Sequence, residues 1–127
     1  MTIARRNYQF SVFHPFAWSV FAVLLAGPAQ AESIKLSGAE ITATLSEKEV
    51  AGTDNGQPSG QIFRANGATF YAVAGNSQTG NWKVEGDKYC SVWPPSENWV
   101  CYDVLRDGNA IQFISPSGKA STYTLKP

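Results

Sequence analysis

The stretch from Trp82 to Phe113 constrains the fold more than any other part of the chain. Short alternating apolar and polar runs are broken there by Gly86-Asp87, Pro94-Pro95 and Asp107-Gly108. That punctuation belongs to antiparallel strands joined by tight turns rather than to helices. Both cysteines and every tryptophan except Trp18 lie in the same stretch.

Two-residue loops fix which side chains face each other, so the hairpins can be read for register. A turn at Gly86-Asp87 pairs Glu85 with Lys88, Val84 with Tyr89 and Trp82 with Ser91. A turn at Asp107-Gly108 pairs Val104 with Ile111 and Tyr102 with Phe113. Opposing Cys90 to Cys101 then sets Tyr89 against Tyr102 and Ser91 against Val100. All three constraints place Trp82, Val84, Tyr89, Val100, Tyr102, Val104, Ile111 and Phe113 on one face, with the cysteines on the other.

At the start of the chain, Arg5 and Arg6 precede an apolar run from Phe16 to Ala26, and Pro28-Ala29-Gln30-Ala31 supplies an A-x-A site. This is the pattern of a secretory signal peptide over residues 1–31. The run is about half the roughly 20 residues that a membrane-spanning helix needs, so no stable anchor is expected after cleavage. The expected location is periplasmic or secreted, with residues 32–127 forming one domain. Removing Arg5 and Arg6 from the ten basic residues leaves eight against ten acidic ones, a net charge of −2. No basic footprint for nucleic acid remains. The single histidine, His14, also falls in the leader. A mature chain without histidine has no Ser-His or Cys-His catalysis and no His-ligated metal, and neither a cofactor nor a metal site is expected.

In an exported protein an even cysteine pair reads as a disulfide, here Cys90 to Cys101. No C-x-x-C spacing suggests redox chemistry, so the bridge is structural. Its short loop contributes roughly 2 to 3 kcal/mol in the chain-entropy account.

Ser37 followed by Glu40 forms a capping box, and Ile41 and Leu45 share a face, which predicts one short helix over Gly38 to Leu45. Beyond Ser46 the sequence reads as strands over 48–53, 60–64, 68–73, 81–85, 88–93, 99–106, 110–115 and 121–125. A loop of Ser117 to Lys119 in the last hairpin brings Tyr123 and Leu125 onto the apolar face. About eight meandering strands with one apolar face must close on themselves. The fold class is therefore all-β with one short N-terminal helix, an antiparallel up-and-down meander forming a small lipocalin-like barrel. The alternative is a two-layer β-sandwich.

The runs Gly52-Thr53-Asp54-Asn55-Gly56 with Pro58, Phe63 to Gly67, Gly80-x-Trp82, Gly86-Asp87-x-Tyr89-Cys90, Cys101-Tyr102-x-Val104 and Asp107 to Phe113 together resemble a group of short exported proteobacterial proteins of unknown function. The likeness spans nearly all of residues 32–127 and rests on turn and core positions, so it implies a fold and no activity. A more distant likeness is to the periplasmic inhibitors of C-type lysozyme, small antiparallel barrels in which a Ser-Gly-x-x-Tyr loop helps block the enzyme's cleft. Here Ser117-Gly118-Lys119-Ala120 reaches a tyrosine only at Tyr123, so the spacing departs from that pattern.

Three functions are weighed. A barrel interior lined by Trp82, Tyr89, Tyr102 and Phe113 would take a small apolar or aromatic ligand, unless those rings simply fill the core. The loop from Trp93 through Pro94 and Pro95 to Trp99 offers rigid, tryptophan-flanked anchors for a protein partner, for example an envelope enzyme to be inhibited. An enzyme is disfavoured and no catalytic residue is assigned: Glu85 and Lys88 read as a surface pair, Asp103 and Asp107 as a solvated strand face and a turn, and Asp54-Asn55-Gly56 as a turn without the spacing of a calcium loop. The expected protein is an exported, non-enzymatic binding module whose partner is a protein or a small apolar ligand.

Overall fold

The computed structural model describes residues 32–127. The signal-peptide reading of residues 1–31, with Arg5, Arg6 and His14, lies outside the described residues. Strand β1 (Ile34–Lys35) and helix α1 (Gly38–Leu45) precede β2 (Lys48–Asp54), β3 (Gln57–Phe63), β4 (Ala68–Val73), β5 (Asn76–Glu85), β6 (Lys88–Val92), β7 (Val100–Asp107), β8 (Ala110–Ile114) and β9 (Ala120–Leu125). Each strand from β2 to β9 pairs antiparallel with the next, and β9 returns to β2 through Val50–Leu125 and Ala51–Thr124. The result is a closed eight-stranded up-and-down barrel, not the two-layer sandwich. β1 adds a short pairing to β7 at Leu105 and Arg106 that the sequence did not signal.

The helix has the expected bounds. Ser37 caps it with a complete capping box: Oγ accepts from the Glu40 N–H at 3.3 Å, and Glu40 Oε2 accepts from the Ser37 N–H at 2.9 Å. Ile41 and Leu45 are fully buried in a cluster with Leu36, Val50, Phe63, Trp82, Val104 and Ile111. Its burial against these strand residues closes one end of the barrel. There, Asp87 in the β5–β6 turn accepts a hydrogen bond from the Gly38 N–H at 2.8 Å. A side chain at Gly38 would collide with the Gly86 carbonyl oxygen, so helix and turn meet backbone to backbone.

The β5–β6 register agrees with the reading from Gly86-Asp87, and β6–β7 sets Tyr89 against Tyr102 and Cys90 against Cys101. The β7–β8 hairpin is a correction. Its loop is Gly108-Asn109, so Val104 faces Phe113 and Arg106 faces Ile111, two positions from the pairing expected of Asp107-Gly108. Glycine rather than aspartate thereby takes the positive φ, 58°, at the first loop position, as a type II′ hairpin requires. Arg106 Nε donates to the Gly108 carbonyl at 2.7 Å and holds the turn. A displacement of two preserves the alternation of faces, so Val104, Ile111 and Phe113 remain inside. The last hairpin is displaced in the same way: Ile114 faces Ala120, and the Ser115 N–H donates to the Lys119 carbonyl at 2.9 Å, leaving Pro116–Gly118 as the loop. Gly118 has φ 86°, and Tyr123 and Leu125 pack on the core as expected.

Two further readings change. β5 begins at Asn76, not Asn81, because Ala74-Gly75 forms the turn (φ 50° and 80°) and the polar run Asn76 to Gly80 pairs in full with β4. Glu85 and Lys88 oppose each other, but the charges go elsewhere. Lys88 Nζ lies 2.8 Å from Asp103 and Glu85 lies 3.7 Å from Lys83, each partner being nearer a strand neighbour than across the turn.

The Asp87 carboxylate serves a helix N-terminus, where an acceptor and a negative charge both stabilise. Asp87→Ala is expected to cost about 1 kcal/mol and lower the melting temperature by roughly 4–8 °C, with Asp87→Asn recovering most of it, as thermal unfolding by circular dichroism would measure.

Candidate functional site

The helix end carries the β3–β4, β5–β6 and β7–β8 turns. The opposite end therefore carries the β2–β3 and β4–β5 turns together with two longer loops, 93–99 and 115–119. Among the described residues no helix covers that end. Between it and the core is a cavity of about 240 Å³. Its walls are aromatic at Tyr71, Tyr89, Trp93, Tyr102, Phe113 and Tyr123, and polar but uncharged at Gln61, Gln78, Ser91 and Ser121.

Of the expected interior residues, Tyr89, Tyr102 and Phe113 line this cavity. Trp82 does not. It lies one layer deeper, edge-on to Phe63 with ring centroids 5.6 Å apart, and its Nε1 donates to the Arg64 carbonyl at 2.8 Å. Although its pair Ser91 lines the cavity, the Trp82 ring turns toward the helix end, beside Thr42, Ser46 and the β3–β4 turn, and joins the buried core. Val100, also given to the inner face, is 39% exposed, since it sits on the last rung before the open end.

The candidate partner loop is divided by the barrel wall. Trp93 turns inward and lines the cavity, packing edge-on to Tyr71 at 6.2 Å, while Pro94 and Pro95 are exposed and joined by a cis peptide bond. The Ser96 N–H donates to the Trp93 carbonyl at 3.1 Å and closes the turn. Trp99 stays outside, 41% exposed, with Lys83 Nζ 4.2 Å from its ring centroid. Cys90 and Cys101 are bonded on the outer face with Cα atoms 4.0 Å apart. Cys90 is nonetheless fully buried.

At the floor of the cavity, hydrogen bonds run in one direction. Thr69 Oγ1 donates to the Ile62 carbonyl at 2.8 Å, so it can only accept from Gln61 Nε2 at 3.0 Å. The second Gln61 N–H donates to the Tyr89 hydroxyl at 2.9 Å. Burial pushes the Tyr89 phenol up to about 12, so it stays protonated at neutral pH. Tyr71 donates to Asp54 at 3.0 Å, and burial followed by that carboxylate raises its pKa. Burial also raises Tyr123. Beside them, Ser59 Oγ is buried without a well-formed hydrogen bond to any described residue.

The wall is thinnest where β2 meets β9. The ladder stops after two rungs, and a second hollow bounded by Thr53, Asp54, Tyr71, Ser121 and Tyr123 adjoins the cavity through the residues they share. Two glycines shape the interior. A side chain at Gly80 would fall 2.7 Å from the Trp93 ring, and one at Gly52 would fall 2.7 Å from the Tyr123 ring, so both rings pack closely against bare backbone.

Other chemistry-bearing candidates are outside this site. Asp103 is on the outer surface, where Lys88 and then Lys35 hold its carboxyl below the usual range. Glu47 is likewise lowered, chiefly by the Ala65 N–H and then by Arg64, and it anchors the β3–β4 turn. The one grouping of potential metal ligands among the described residues is Glu85 with the two disulfide sulfurs, which are committed to each other.

Sequence reasoning missed the polar members, Gln61, Gln78, Ser91 and Ser121. Their signal was present as parity: Gln61 alternates inward with Phe63, and Ser91 with Tyr89.

Two outcomes are expected. Because the Tyr89 phenol ionises near 10 when unfolded and about 12 when folded, its stabilising share is complete below pH 10 and lost as pH rises to 12. Relative to Tyr89→Phe, the wild type should lose about 2–3 kcal/mol across that window in urea unfolding. Gly80→Ala should cost about 1–3 kcal/mol by crowding the Val92 carbonyl and displacing Trp93, with a matching change in near-ultraviolet circular dichroism.

No family model matches the sequence, and neither a curated protein nor a solved structure matches it significantly.

Proposed function

We propose that this protein is an exported, non-enzymatic binding protein that takes a small ligand into the open end of its barrel. The observation that carries this reading is the uneven filling of the interior. Helix α1 and the aliphatic side chains pack one end, while the other keeps a cavity of about 240 Å³ walled by aromatic rings and a few convergent polar groups. Concave, mostly apolar sites with a small number of placed polar groups are where proteins hold small molecules. The disulfide, with no helix among the described residues long and apolar enough to cross a membrane, is compatible with a periplasmic or secreted location. No charged side chain lines the cavity, which fits binding rather than acid–base chemistry.

A second reading, a protein partner engaged by the 93–99 loop, is favoured by one observation: Trp99 and Val100 are adjacent, exposed and on the rim. Inhibition of a lysozyme-like or other envelope enzyme would belong to this reading.

The two separate cleanly by mutation. Ser121 is exposed at the mouth and lines the cavity, so Ser121→Trp should block the site without disturbing the core. Native mass spectrometry of protein isolated from the cell envelope should show a small molecule bound to wild type and to Trp99→Ala but absent from Ser121→Trp. A co-purifying protein lost only in Trp99→Ala would favour the second reading instead.

A further inference from the structure

The hydrogen bonds under the cavity leave two groups with unused capacity, side by side. Gln61 is 7% exposed, and both hydrogens of its amide are spent, one on Thr69 and one on Tyr89. The orientation of that amide is fixed by chemistry, because Thr69 has already given its only hydroxyl proton to the Ile62 carbonyl. Gln61 Oε1 therefore faces outward from this network as an acceptor, and it accepts no hydrogen bond from any described residue. Tyr89, having accepted from Gln61, keeps its own O–H for a further partner, with the Ser91 hydroxyl beside it. Both residues line the cavity, and Tyr89 is 3% exposed. Both groups open onto the cavity, so each can take a partner brought by a ligand.

The walls add a second restriction. None of the ten lining residues carries a charge, so an ionised ligand would lose its hydration with nothing opposite to replace it. The aromatic rings and the cavity of about 240 Å³ suit one flat ring.

Resting on the reading of the cavity as a ligand site, we infer that its floor recognises a neutral, ring-sized molecule bearing an adjacent donor and acceptor, a primary carboxamide or a lactam. The ligand N–H donates to Gln61 Oε1, and its carbonyl accepts from the Tyr89 hydroxyl. The raised pKa of Tyr89 keeps that donor available at any physiological pH.

Benzamide, benzoate and toluene share a ring and differ in the group that reports on the floor. Each would be titrated into the disulfide-intact protein while the backbone amide signals of Tyr89, Ser91 and Tyr102 are followed by NMR. Benzamide is expected to shift these signals with at least tenfold higher affinity than either benzoate or toluene. In Tyr89→Phe and in Gln61→Met that preference should fall to within about threefold, with toluene binding retained, which also shows that the variants are folded. Toluene binding as tightly as benzamide, or benzoate binding most tightly, would overturn the carboxamide or lactam assignment and leave the small-ligand reading standing. Cavity signals unmoved by all three would overturn both.

Discussion

The alignment of β6 with β7 is the constraint on which the mouth of this barrel depends, and the Cys90–Cys101 bond holds it. With the two Cα atoms 4.0 Å apart and directly opposed, the strands cannot slide, and alternation then forces Tyr89 and Tyr102 inward together. The connecting loop begins one rung beyond the bond, so the same alternation sends Trp93 into the lumen and Trp99 to the outside. A short-loop disulfide contributes roughly 2–3 kcal/mol, a large share of the 5–15 kcal/mol that stabilises a typical domain. The bond is buried on its Cys90 side, which places it within the packed structure of the wall.

Architecture was legible in the sequence because closure follows from one apolar face, and faces survive errors that pairings do not. The hairpins after β7 and β8 are both displaced by two positions from the expected register, yet Val104, Ile111, Phe113, Tyr123 and Leu125 all pack on the core. What misled was turn chemistry. Asp107-Gly108 is a strong signal for a type I′ loop, but shifting by one residue at each side puts Gly108 first and spares a non-glycine residue the left-handed conformation. The helix was legible to the residue, because its capping box is local and self-contained. Its second cap was not, since Asp87 is 49 positions from Gly38 and reaches it only through the folded barrel.

The site was only half legible. Tyr89, Tyr102 and Phe113 were readable as large rings at inward positions. Gln61, Gln78, Ser91 and Ser121 share that parity, but a search for strands discounts polar residues on an apolar face. The strand reading even began β5 at Asn81, because Asn76-Ser77-Gln78-Thr79 carries no hydrophobic signal and pairs only through its backbone. Trp82 failed in the opposite sense. Parity put it inside correctly, but parity does not report whether an inward ring turns toward the packed helix end or toward the open one.

Why the mouth is hollow at all, when so many aromatic residues point into it, follows from the two glycines of the wall. A ring projecting from a strand normally crosses the lumen. At Gly80 and Gly52 there is no side chain to hold the neighbouring ring off the sheet, so Trp93 and Tyr123 pack close against the backbone and become wall. The helix end shows the contrast: there Phe63, Ile111 and Val50 meet Ile41 and Leu45 with no exposed surface left on any of them. One sheet thus produces a filled half and an open half according to whether its inward positions oppose a helix or a glycine. The polar groups between the halves are held by hydrogen bonds through the buried Thr69 and Gln61, which tie the floor of the open half to the wall strands.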